Sequence, residues 1–151
     1  MATYDFTKGA GAISNISTGK HFVEKIPIVV SEIIASNATL TANAKITAAD
    51  IIQLWDVPVD TVITHAVFEI VVAGSAGGTA DIGLAGGTEL FAATALDAAA
   101  GTQTIFAVGA GYGPDNVTGK VFTTTDTIDM QFIADETVGS FILHIAGFMI
   151  R

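Results

Sequence analysis

Apolar and polar residues alternate with a period of two along much of this chain, and that period places the strands. Residues 50–74, DIIQLWDVPVDTVITHAVFEIVVAG, hold the two clearest runs, at 51–55 and 62–72. Both are rich in β-branched residues, and Asp56-Val57-Pro58-Val59-Asp60 joins them. Pro58 cannot donate to a ladder and biases Val57 away from the helical region, so the chain changes direction there. In the second run Val62, Ala66, Phe68, Ile70 and Val72 share one face, with Ile63, His65, Val67, Glu69 and Val71 on the other. Two largely apolar faces predict a strand central to a sandwich.

The same reading gives a strand at 26–35, beginning after Pro27, and another at 38–46. In the latter Leu40, Ala42, Ala44 and Ile46 alternate with Thr39, Thr41, Asn43 and Lys45, and Asn37 fits a turn before it. Further strands are predicted at 79–84, 89–92, 104–108, 121–124, 127–134 and 140–150. The glycine-rich strings at 74–78, 85–87 and 109–119 read as turns or loops, and the first suggests a hairpin from the 62–72 strand into 79–84. Only 93–100 has helix propensity, for one or two turns. The 140–150 run is apolar on both faces, which predicts pairing in mid-sheet beside 62–72. Roughly eight to ten short strands at such spacing predict an all-β, single-domain β-sandwich, jelly-roll-like.

Residues 1–25 keep no period. Their scattered apolar side chains predict an extended N-terminal arm, with the sandwich domain at 26–151. Tyr4, Phe6, Ile13, Ile16 and Phe22 are its subunit-contact candidates, expected to dock on a neighbour.

Composition sharpens this picture. Half of the 151 residues are hydrophobic, 14% are charged, and the mean hydropathy is +0.59. A domain of this size buries roughly 70% of its unfolded surface, so the surplus apolar surface points to contacts with other subunits. A membrane helix is not expected, because the longest charge-free run, 98–114, is broken by glycines and polar residues. The first residues lack the pattern of a signal peptide. The net charge of −9 argues against a nucleic-acid partner. That charge is uneven: residues 1–45 are nearly neutral, whereas 46–150 carry one base, Lys120, against twelve carboxylates.

Catalytic chemistry is hard to assemble from these residues. There is no cysteine, hence no thiolate zinc site, disulfide or cysteine nucleophile. His65 and His144 lie in apolar strands and become cross-strand partners if those strands pair, but no metal-ligand spacing surrounds them. Asp56/Asp60, Asp126/Asp129 and Asp135/Glu136 flank turns, where Asp is favoured for backbone reasons. The glycine strings match no phosphate-cradling loop. No enzyme, cofactor or metal site is expected.

Three short motifs carry a family resemblance. DIIQLWDVPVDTV at 50–62 is followed by Gly77-Gly78-Thr79-Ala80-Asp81-Ile82-Gly83 and later by Thr124-Thr125-Asp126-Thr127-Ile128-Asp129-Met130. This resembles small virion proteins of tailed bacteriophages that share "IQL-(x)-DVPA-(x)-T", "GGTAT-(x)-D-(x)-G" and "T-(x)-DTIDL" segments. The likeness runs from about residue 50 to 150. It departs at Val59, where Ala is common, and at the extra 109–119 loop. It implies a capsid decoration or cement subunit on the capsid exterior of the virion, made in the host cytoplasm. The implied partners are the major capsid protein and copies of itself, as a homotrimer by analogy with jelly-roll subunits, with no nucleic acid and no membrane. A head-fibre or tail accessory protein contacting a host glycan is the alternative, and Tyr112 is the aromatic its 109–119 loop offers.

Overall fold

A computed structural model describes residues 1–6, 21–84, 87–106 and 121–150. In chain order these form β1 (Thr3–Asp5), β2 (His21–Val29), α1 (Val30–Ser36), α2 (Ala38–Asn43), β3 (Ile51–Val57) and β4 (Thr61–Val72). Then follow β5 (Thr79–Leu84), β6 (Phe91–Ala95), β7 (Gln103–Phe106), β8 (Asp126–Phe132) and β9 (Ser140–Met149). One sheet has the order β1-β3-β8-β5-β6 and the other β2-β9-β4-β7.

The partners nest. β2 pairs with β9, β3 with β8, β4 with β7 and β5 with β6, all antiparallel. The pairs β4·β9 and β5·β8 then close each sheet. A long antiparallel hairpin rolled into two four-stranded sheets is a jelly roll, so the expected sandwich is the one observed. β1 adds a short parallel strand beside β3.

The core lies between the sheets. From one side come Ile52, Ile82, Ile128, Met130 and Phe132, and from the other Ile28, Phe68, Ile70, Phe141 and Leu143, all at most 2% exposed. Two aromatic pairs span the layers. Phe68 on β4 stands 6.3 Å from Phe91 on β6, and Phe22 on β2 stands 6.0 Å from Trp55 on β3. Such tilted contacts add to area burial because ring edges meet ring faces. Along β4 a bulge between Ile63 and His65 turns Ile63 inward with Ala66, Phe68 and Ile70.

Several expectations change. Residues 30–36 and 38–43 are helical, not strand. Val30 and Ile33 are buried one turn apart, and Leu40 is the buried residue of α2. Runs this short satisfy periods of two and of 3.6 together, so pattern alone does not separate them. Asn37 closes α1 and caps α2, its Oδ1 accepting from the N–H groups of Thr39 at 2.9 Å and Leu40 at 3.4 Å. The predicted helical segment at 93–100 begins instead with the end of β6. Val121 forms only an isolated bridge to Val62 rather than a strand. The hairpin from β4 into β5 does not exist, because the two strands belong to different sheets.

Gly147, near the C-terminal end of β9, is a tight spot. A Cβ there would lie 2.0 Å from the Val62 carbonyl oxygen and 3.0 Å from the Phe22 ring. Backbone on one side and a core ring on the other leave no cheap relaxation. Gly147→Ala is expected to destabilise the fold by ~1–3 kcal/mol, seen as a lower urea midpoint at unchanged slope.

Candidate interaction surface

The two outward faces differ in chemistry. The strands of the β1-β3-β8-β5-β6 sheet hold Asp5, Asp56, Asp81, Asp126 and Asp129, with no Lys, Arg or His. Its outer positions are polar, as with Asp5 beside Gln53, Asp56 beside Thr127 and Asp81 beside Gln131. The β2-β9-β4-β7 sheet instead holds all three histidines, His21, His65 and His144, together with Lys25, Glu24 and Glu69. The pleat explains which of these turn outward. Phe22, Ile28, Phe141, Leu143 and Ile145 point into the core, so His21, Val23, Lys25, Pro27, Ile142 and His144 point away from it.

The register writes this face in rows. Lys25 pairs with His144, His144 with Val67, and Val67 with Ile105. Pro27, Ile142, Glu69 and Gln103 form the next row. His65 and His144 therefore share the face without opposing each other, since Ala146 faces His65. The His144 ring donates through Nε2 to Glu69 Oε2 at 3.2 Å. Val23 is 73% exposed and Ile105 64%, an unusual investment of apolar surface in a strand face.

Of the predicted contact residues, the three that are described pack against this chain itself. Tyr4 and Phe6 pack partly buried against the chain's own core, and Phe22 belongs to that core. Ile13 and Ile16 lie outside the described residues, as does Tyr112. The aromatics of the first 25 residues thus serve this chain's interior where they are described. The residues next to them, Val23 and Lys25, are the outward ones, and a period of two carried back through 21–29 identifies them.

The carboxylate pairs do structural work. Asp135 accepts from the Lys45 ammonium and from the Ala48 N–H, and these two bonds hold its carboxyl below the usual carboxylate range. A folded-state value below the unfolded one means stability that is present at neutral pH and lost as pH falls through the folded value. Both side chains are about two-fifths exposed, so the contribution is small. Asp135→Asn is expected to lower the urea midpoint slightly at neutral pH and not at all in strong acid.

Glu136 is fully buried, its Oε1 accepting from the Ser75 N–H at 2.6 Å and the Thr137 N–H at 3.2 Å. Gly74 and Gly78 make room for it, since a Cβ on either would come within 2.8 Å of its Oε2. Asp60 adopts a left-handed turn and exchanges main-chain bonds with Phe122 and Ile150. Asp56 and Asp126 line a shallow polar depression with Thr125 and Thr127. An apolar cleft of about 160 Å³ lies among Phe6, Ile26, Pro27, Leu54 and Trp55, with Glu24, whose carboxyl is raised by burial, at its wall. No group of three or more metal-ligating side chains occurs among the described residues. No helix among them is long and apolar enough to cross a membrane.

No protein-family model and no curated protein matches the chain. Solved structures do. A chain in the capsid of Ralstonia phage GP4 aligns at TM-score 0.64 and 15% identity, covering 97% of both chains. A chain of the cyanophage Pam1 capsid asymmetric unit aligns at 0.52 and 14% identity, over 87% of this chain and 86% of that one. One from the acidic stable capsid of Helicobacter pylori bacteriophage KHP30 aligns at 0.53 and 10% identity, over 89% and 92%. The likeness is one of fold. It extends over 87% or more of this chain in each case, and the matched chains are of about this size.

Proposed function

We propose that this protein is a structural subunit of a tailed-phage virion, a decoration or cement protein that binds the outer head shell and stabilises it. The observation that carries the reading is the near-full-length fold match to chains of three phage capsid structures. Its partners in this reading are a shell protein and further copies of itself. The surface chemistry supports it. Carboxylates on one sheet suit a solvent-facing side, and the apolar, histidine-bearing face of the other suits contact with protein. Many copies, each bound weakly, hold a shell firmly through multivalency.

A glycan-contacting accessory protein would need aromatic platforms. No aromatic side chain whose burial is described is exposed. The test is co-sedimentation of the purified protein with capsids that lack it. Saturable binding at a fixed ratio to the shell protein is expected, with raised thermal resistance of the particle. A protein that stays in the supernatant at all concentrations overturns the reading.

A further inference from the structure

We propose that the outer face of the β2-β9-β4-β7 sheet is covered by a second copy of this chain, packed sheet on sheet about a two-fold axis. The proposal rests on the reading of the chain as a multicopy structural subunit, and it adds which surface self-associates and with what symmetry.

Shape comes first. Four strands about 4.8 Å apart, the longer ones about ten residues at about 3.3 Å each, give a face of roughly 19 by 33 Å. That is roughly 600 Å² in projection, and side-chain relief brings it near the roughly 800 Å² per partner of a standard interface. Val23 and Ile105 stand prominently on it, with Pro27, Ile142, Val67 and Phe148 also on its outer side. Phe148 is held by an edge contact with the His21 ring, 5.8 Å between centroids, so it presents a fixed shape.

Charge selects the occupant. The chain carries −9, and the strands of the other sheet hold four carboxylates that are not buried, Asp5, Asp56, Asp81 and Asp126, without one base, so two copies repel over that side. On the β2-β9-β4-β7 face Lys25 and Glu69 balance, and Glu69 is already bonded to His144. It is the broad face on which two copies meet without like-charge repulsion. Lys25 lies on the edge strand, where its long stem carries the ammonium to the rim of a sheet-on-sheet contact. The strand edge itself is a poor alternative. Lys25 and Pro27 on β2 blunt it against strand addition.

A face that meets its own copy is isologous and closes as a dimer, in place of the threefold assembly expected by analogy. Sedimentation equilibrium of the full chain at micromolar concentration tests this. The wild type is expected at twice its 15.5 kDa mass. Ile105→Lys, at the β7 end of the Lys25–His144–Val67 row, should sediment at the single-chain mass with an unchanged circular dichroism spectrum. Ile133→Lys, which alters an exposed residue just past β8 in the other sheet, should remain a dimer.

Wild type at the mass of one chain or three, or an Ile105→Lys dimer, would each overturn the proposal. Capsid binding is scored separately. A wild-type monomer whose capsid binding is lost in Ile105→Lys overturns the dimer and gives the face to a shell protein. A wild-type dimer that ignores capsids supports the dimer and removes the capsid reading.

Discussion

Phe68→Ala is expected to destabilise the protein by ~3–5 kcal/mol. The ring has no exposed surface, stacks on Phe141 at 5.5 Å and reaches across to Phe91 in the facing sheet. Removing it forfeits the transfer energy of the ring and leaves a cavity that flanking β-strands cannot close, because their positions are fixed by ladders on both sides. β4 lies between β9 and β7, so it cannot shift inward without breaking one of them. With a shift of ~2–4 °C per kcal/mol at this chain length, the melting temperature should fall by roughly 6–20 °C. A fall of only a degree or two would mean that the two sheets are not packed through this ring.

The second large effect is the loss of a stable fold when residues 1–25 are deleted. On sequence alone those residues read as an arm whose removal leaves the body intact. The structure uses them twice. β1 pairs with β3 along Thr3–Asp5, and it is pinned by the Ala2 N–H to Asp50 Oδ1 at 2.9 Å and by the Phe6 N–H to the Gln53 carbonyl at 2.9 Å. Residues 21–25 supply the first half of β2, including Phe22 against Trp55. Truncating Phe22 alone is worth ~3–5 kcal/mol on the usual scale for buried rings, against a total stability of ~5–15 kcal/mol for a domain. Losing the ring, the ladder to β9 and β1 together should consume that margin. The 26–151 fragment is expected to give no cooperative melt, or to aggregate through the uncovered edge of β9. A cooperative transition within a few degrees of the full chain would contradict this use of the leader.

What the sequence made legible follows from where its physics is local. The strands at 51–57, 61–72 and 140–149 stand out because β-branched residues fill runs too long for a turn and bounded by Pro, Asp and Gly. Their two-sided apolarity marked β4 and β9 as central. The pairing of those two was also readable, since each needed a covered neighbour. Which sheet a strand joins was not. Pro58 and the 74–78 glycines signal a change of direction, and a hairpin and a crossing to the other layer begin with the same turn chemistry.

That three of the candidate contact residues pack into this chain itself was hidden for a related reason. Aromatics drew attention to Tyr4, Phe6 and Phe22, but large rings are what a core takes first. The exposed face is marked instead by residues that look unremarkable singly, such as Val23, Lys25 and Ile105. They form a surface only when register sets them beside His144 and Val67. Helices α1 and α2 were hidden because six or seven residues cannot distinguish the two periods, and the Asn37 cap is the local sign that decides.

The central claim is that this jelly roll is a capsid-bound structural subunit, and electron cryomicroscopy tests it most directly. Particles assembled with and without the protein would be imaged and their maps subtracted. The account predicts difference density on the outer shell, the size of one jelly roll per chain, at symmetry-repeated positions. Identical maps, with the protein absent from the purified particles, would contradict it.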